Sequence, residues 1–171
     1  TGVQAGAPAI ELAQYAAKLP NLNLRGIHSY SGASAHVLGF EARQAHSQKA
    51  MAPSIETYFQ LKKAGLPLEI LSGGSTGTYN IDPGFKGMTE LQVGSYVFMD
   101  HDYDVCDLRG ADRPTFEQAL QIDARVVSAN TPGMATVDAG LKAMATEKGP
   151  PLILRGAIEG STTRFMGTCA S

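Results

Sequence analysis

The chain has 171 residues, 43% of them apolar and 18% charged, with a net charge of −2 from 14 basic and 16 acidic side chains. That apolar content supports a packed core and excludes a disordered chain, and the length suits one ordinary domain or part of a barrel. No basic run occurs, which argues against a nucleic-acid partner. The apolar stretches are strand-length, far short of the roughly 20 residues of a membrane-spanning helix, so no membrane partner is expected. Cys106 and Cys169 lie far apart at no metal-ligand spacing, and nothing reads as a signal peptide, so a reducing, cytoplasmic setting is expected.

In chain order, "APAIELAQYAAKL" (7–19) carries apolar residues close to helical spacing, with Pro8 suited to a first turn. "LNLRGIHSY" alternates Leu22, Leu24 and Ile27 into a predicted strand that stops at Ser31-Gly32. The segment 41–64 is the longest predicted helix, which Pro53 should kink or split and Gly65 should cap. A strand over Leu68–Leu71 runs into the loop "SGGSTGTY", and "TELQVGSYVFMD" (89–100) reads as a strand with a glycine break. This alternation predicts an α/β fold with parallel strands, in which loops at the carboxyl ends of strands carry function. After "HDYDVCDLRGADRP" the pattern changes. "ALQIDARVVSA" and "MATVDAG" read as strands, and "PLILRGAIEG" with "TTRFMGT" as a hairpin-type pair, predicting a mostly β domain from about Thr115.

Three strand ends draw chemical interest. Ser72-Gly73-Gly74-Ser75-Thr76-Gly77-Thr78 combines close backbone approach with hydroxyl donors, the composition of a phosphate site. It matches neither the Rossmann fingerprint nor the Walker loop, and such a stretch alone is more often a flexible connection than a ligand site; its place directly after a strand in an α/β run tips the reading to phosphate. Tyr30, in "GIHSYSG", could lie against a flat cofactor ring or simply fill a barrel mouth. Gln92 sits between apolar neighbours, where a buried amide needs partners, and Gly94-Ser95 could offer two more backbone donors. His28, His36, His46 and His101 make no metal-binding spacing, and the acidic "MDHDYD" reads as a solvated loop. No Gly-x-Ser-x-Gly elbow occurs, which leaves covalent hydrolases without support.

Taken together, "TGVQAG", "LRGIHSYSG", "LPLEILSGGSTGTY", "TELQVGSYVFMDHDY" and "VVSANTPGMATVDAGLKAM" resemble the fold-type III, alanine racemase-like pyridoxal-phosphate enzymes, and among them the D-threonine aldolase and D-serine dehydratase family. The resemblance implies a (β/α)8, TIM-type barrel followed by a C-terminal β domain. Residues 1–114 would form the later part of the barrel and 115–171 the start of the β domain. The implied function is a metal-dependent lyase of D-amino acid metabolism that acts on a small D-3-hydroxy amino acid as a homodimer. Carried over by residue, Tyr30 would lie at the ring of pyridoxal phosphate. Gly74, Ser75, Thr76 and Gly77 would hold its phosphate with Gly94 and Ser95, and Gln92 would face the pyridine nitrogen where alanine racemases place an arginine. An amide, unlike a carboxylate, does not hold that nitrogen protonated.

In the family the Schiff-base lysine and an arginine at the cofactor's phenolic oxygen precede the stretch matching Thr1, and the metal-binding His and Asp or Cys follow the stretch matching Ser171. The chain starts at "TGVQAGAP" without methionine and stops at "TTRFMGTCAS" within a strand-like pattern. It is therefore expected to be a fragment without a metal site and inactive by itself. Lys142, in "DAGLKAM", reads as a helix or turn residue. Besides D-threonine aldolase, the open alternatives are D-serine dehydratase, a pyridoxal-phosphate-binding barrel without turnover, and a barrel for another phosphate.

Overall fold

The computed structural model describes residues 2–108, 116–145 and 149–164. The chain divides into two compact units, 1–119 and 120–171.

The first unit is built on three parallel strands in sequential order. They are β1 (Gly26–Ser29), β2 (Ile70–Gly73) and β3 (Glu90–Leu91). Helix α1 (Ala7–Ala16) precedes the sheet, the short α2 (Gly32–Ala35) follows β1, and α3 (Phe40–Lys63) makes the crossover to β2. The register sets Ile27 beside Leu71, His28 beside Ser72 beside Glu90, and Ser29 beside Gly73 beside Leu91. Leu71 is fully buried in one cluster with Ala13 of α1 and Tyr58 and Leu61 of α3, and Ile27 packs against that cluster. Side chains alternate along a strand, so His28, Ser72, Glu90 and, beyond the strand ends, Tyr30 and Gln92 take the opposite face. The sheet therefore has a helix-covered side and a polar inner side.

Helix α1 ends at Ala16, three residues before the predicted end. Lys18 and Leu19 donate to the carbonyls of Tyr15 and Ala16 in a tightened last turn, and Pro20 disfavours helix at the residue before it. Pro53 neither splits nor ends α3, which runs unbroken for 24 residues. Its buried residues Arg43, Ser47, Met51, Thr57, Tyr58 and Leu61 form one stripe, while Pro53 is exposed. Water can therefore satisfy the carbonyl that loses its partner there. The predicted cap at Gly65 is present. The N–H groups of Gly65 and Leu66 donate to the carbonyls of Lys62 and Leu61 at 3.0 and 3.2 Å, the paired bonds of a Schellman ending.

Two predicted strands shorten. β1 begins only at Gly26, where Ile70 lies alongside it; Leu22, expected inside, is exposed. The stretch 89–100 is a strand only at Glu90–Leu91. β2 ends at Gly73, whose carbonyl accepts from Gln92 N at 2.7 Å, and no further partner backbone continues the ladder. A 3-10 turn over Ser95–Val97 and the one-turn helix α4 (His101–Asp104) follow.

Arg43 is fully buried on α3 and donates to the carbonyls of Val37, Cys106 and Asp107. Burial lowers its pKa, while the neighbouring Cys106 and Asp107 oppose that shift. One cation thus fastens the segment after α4, where Asp107 itself adopts φ 48°.

In the second unit β4 (Val126–Ser128) pairs antiparallel with β5 (Thr136–Val137), and Arg125 N donates to the Asp138 carboxylate at 2.8 Å. Leu152, Ile153 and Leu154, half of the predicted last hairpin, are exposed and not in a strand. The other half lies mostly outside the described residues, as do Thr115 and Cys169. Lys142 sits in an exposed turn.

Candidate functional site

The loops leaving the three parallel strands gather the residues singled out in the sequence. After β2 the backbone turns at Gly74 (φ 72°) into a 3-10 turn, Thr76–Thr78. A Cβ on Gly74 would stand 2.9 Å from Leu91 Cδ2 and 3.2 Å from an Asp82 carboxylate oxygen. One on Gly77 would stand 1.9 Å from the Ala35 carbonyl oxygen. Both glycines are therefore required by packing and, at Gly74, by a left-handed conformation.

Residues 71–78 are all buried, and their hydroxyls are used within the protein. Thr78 Oγ1 donates to Asp82 Oδ2 at 2.7 Å and accepts from Ser75 N at 3.0 Å, and the Ser75 hydroxyl lies 3.2 Å from it. Ser47 Oγ, from α3, donates to Asp82 Oδ1 at 2.6 Å. Asp82 is 2% exposed, and burial raises its pKa against the opposing effect of these two hydroxyls. Thr76 Oγ1 accepts from Tyr96 N at 3.1 Å, which ties the loop after β2 to the loop after β3.

The other candidate residues stand open. Gly94 and Ser95 are exposed, and a Cβ on Gly94 would meet nothing within 4 Å. Tyr30, beyond the end of β1, is 50% exposed. Gln92 is half-buried on the inner face, and its amide donates to Ser72 Oγ at 2.8 Å; Ser72 in turn donates to Glu90 at 2.6 Å. The amide is thus oriented from behind. Buried Tyr103 of α4 links the two open ends: burial raises its pKa first, then the neighbouring Tyr30, and a hydrogen bond with Ser95 opposes both.

Ser47, Asp82 and Tyr103 were not among the residues singled out from the sequence. Ser72 was legible as part of the hydroxyl cluster. Asp82, in "NIDPG", follows no periodic pattern, and Ser47 lies 35 residues before it; only folding joins them. His36 pairs with Asp102 at 2.9 Å and stacks on Tyr103 with ring centroids 4.5 Å apart. Among the described residues no three His, Cys, Asp or Glu side chains group as a metal site.

A flat, phosphorylated ring fits this arrangement on the inner face. Gly94 is open to solvent beyond the end of β3, a half-exposed aromatic ring stands beyond the end of β1, and the Gln92 amide on the same face is held by Ser72. The Thr78 proton is committed to Asp82, whereas Thr76 Oγ1 accepts from Tyr96 N and keeps its own proton, so a phosphate there would rely on backbone N–H groups with the Thr76 hydroxyl beside them.

A parallel α/β sheet with polar loops at its carboxyl ends defines the class, an α/β barrel-type fold. Residues 119–168 match the family model of the putative serine dehydratase domain. The chain is 41% identical over 155 residues to 3-hydroxy-D-aspartate aldolase of Paracoccus denitrificans (strain Pd 1222), covering 89% of this chain and 40% of that protein. The crystal structure of D-threonine aldolase from Filomicrobium marinum superposes with a TM-score of 0.84 at 36% identity, covering 89% of this chain and 41% of that one. An alanine racemase-like protein from Idiomarina loihiensis, 20% identical with a TM-score of 0.66 over 84% of this chain and 37% of its own, shares the fold. The resemblance to the D-threonine aldolase and D-serine dehydratase family therefore holds in sequence and in structure, and the fold is alanine racemase-like, of fold-type III. The chain spans about 40% of the length of the curated relatives it matches. Among the described residues no helix is long and apolar enough to cross a membrane.

Proposed function

We propose that the protein is a pyridoxal-phosphate-dependent lyase that cleaves D-3-hydroxy amino acids to glycine and an aldehyde, most like D-threonine aldolase. The observation that carries this reading is the 36% identity to a D-threonine aldolase, at a TM-score of 0.84, along 89% of the chain. When bound, the cofactor supplies an electron-withdrawing ring that stabilises the negative charge left at the substrate α-carbon as the carbon–carbon bond breaks.

The chain's own residues bind and orient. Backbone N–H groups of the Gly74–Gly77 loop, with Gly94 and Ser95, hold the phosphate. Tyr30 faces the ring. Gln92, steadied by Ser72, meets the ring nitrogen with an amide that cannot keep it protonated. The covalent lysine and any divalent metal ligands are assigned to parts of the protein beyond these residues, and the proposed setting is a cytoplasmic homodimer. D-serine dehydratase is the second reading, favoured by the family model over 119–168.

The test is an absorbance spectrum of the intact protein followed by assay with D-threonine and D-serine. A visible-range cofactor band with release of acetaldehyde from D-threonine supports the aldolase. Turnover of D-serine alone selects the dehydratase, and a band without turnover leaves a cofactor-binding barrel. With no band, the pyridoxal-phosphate reading falls. Gln92→Glu should shift the band and the balance of products, because a carboxylate favours the protonated ring; an unchanged spectrum and unchanged rates remove Gln92 from the site.

A further inference from the structure

We infer that Asp82 is the residue that positions the glycine loop for phosphate, acting through Thr78; this rests on the cofactor reading proposed above. Asp82 lies outside the strand ends, in the second turn of the β2–β3 connection (Asp82–Gly84), and its carboxylate is buried beneath Gly74. An ionised carboxylate only accepts hydrogen bonds. With Ser47 donating to one oxygen and Thr78 to the other, the Thr78 proton is committed to Asp82. Its oxygen lone pairs are then left to receive the N–H of Ser75.

The direction of every bond in the chain Ser47–Asp82–Thr78–Ser75 is thereby set. So is the backbone orientation between Gly74 and Thr78, where the phosphate donors lie. The Thr76 bond from Tyr96 N carries the same order across to the loop holding Gly94 and Ser95. An asparagine at 82 keeps the shape and breaks the rule. Its NH2 faces a hydroxyl, and that hydroxyl must turn its own proton elsewhere. If Thr78 turns, its proton competes with the Ser75 N–H.

The test compares binding of pyridoxal phosphate and of pyridoxal, which lacks the phosphate, to the intact protein stripped of cofactor. Asp82→Asn and Thr78→Val should each weaken pyridoxal phosphate about tenfold, the loss expected of one hydrogen-bonding partner, and leave pyridoxal unchanged. Thr78→Ser keeps the hydroxyl and should bind as the parent does. Ser47→Ala should lower the melting temperature without changing the ratio of the two affinities, because Thr78 keeps its partner. An unchanged ratio in both Asp82→Asn and Thr78→Val overturns the inference while the cofactor site stands. If Asp82→Asn does not fold, Thr78→Val against Thr78→Ser decides. A parent that binds pyridoxal phosphate no better than pyridoxal removes the phosphate reading and this inference together.

Discussion

The loops after β2 and β3 look alike in sequence, each a glycine beside a serine at a strand end, and the fold uses them oppositely. The glycine-rich start of the loop after β2, residues 74–78, is buried, with Gly74 pressed against the side chains of Leu91 and Asp82, Gly77 against the backbone of Ala35, and the Ser75 and Thr78 hydroxyls bonded to each other and, through Thr78, to Asp82. The loop after β3 is open, and Gly94 faces empty space. Hydroxyls beside glycines thus do not by themselves mark a ligand contact. In the first loop they hold the backbone, and in the second the bare backbone is what a ligand can reach.

The sharpest way to break that contrast is at Gly77. Gly77→Val places side-chain carbon 1.9 Å from the Ala35 carbonyl oxygen, an overlap that backbone cannot relieve. Such overpacking should cost about 3 kcal/mol or more, seen as loss of the cooperative thermal transition. A variant that folds as the parent does would mean that α2 is not packed on this loop.

Thr78→Val comes next. It leaves the Ser75 N–H and one Asp82 oxygen buried without a partner, and should cost about 1–3 kcal/mol in chemical denaturation. The loss should be smaller than at Gly77, and no loss would show the network to be incidental.

Asp82→Asn sharpens the contrast through pH. Burial raises the Asp82 pKa, so the folded protein holds that proton more tightly than the unfolded chain does. This contribution is complete below the ordinary carboxylate value of about 3.9 and is lost as pH rises through the raised value. Asparagine does not titrate. The deficit of the variant relative to the parent should be widest at acid pH and narrow toward neutrality; a deficit that widens toward neutrality would mean the hydroxyls outweigh burial.

The smallest effect on stability belongs to Gly94→Ala, where the new methyl meets nothing. The melting transition should stay within about 0.5 kcal/mol of the parent. The same methyl should weaken pyridoxal phosphate several-fold if the phosphate approaches there. Equal affinity would free Gly94 of that role.

Much of this was legible without coordinates, for reasons local to the chain. Helical spacing and the Gly65–Pro67 stop announce α3, the run into "SGGSTG" announces β2 and its loop, and the succession of elements announces parallel strands. Pro53 misled because its cost depends on whether the orphaned carbonyl is wet, which follows from the face the helix buries. Strand lengths misled because a strand extends only as far as its neighbour pairs with it, as Gly73 and Gln92 show.

What the sequence by itself determined, then, is the order of elements, the family likeness and the three strand ends where chemistry gathers. The order of elements and the strand ends follow from side-chain periodicity and from residues that only certain backbones tolerate, and the family likeness from the resemblance of whole motifs such as "TELQVGSYVFMDHDY". Which glycine is pressed and which is open, and that Asp82 meets Ser47 and Thr78, were decided by tertiary structure alone. The partners come from different elements, separated by 35 residues in the case of Ser47 and Asp82, and burial strengthens their bonds only once the fold has excluded water from between them.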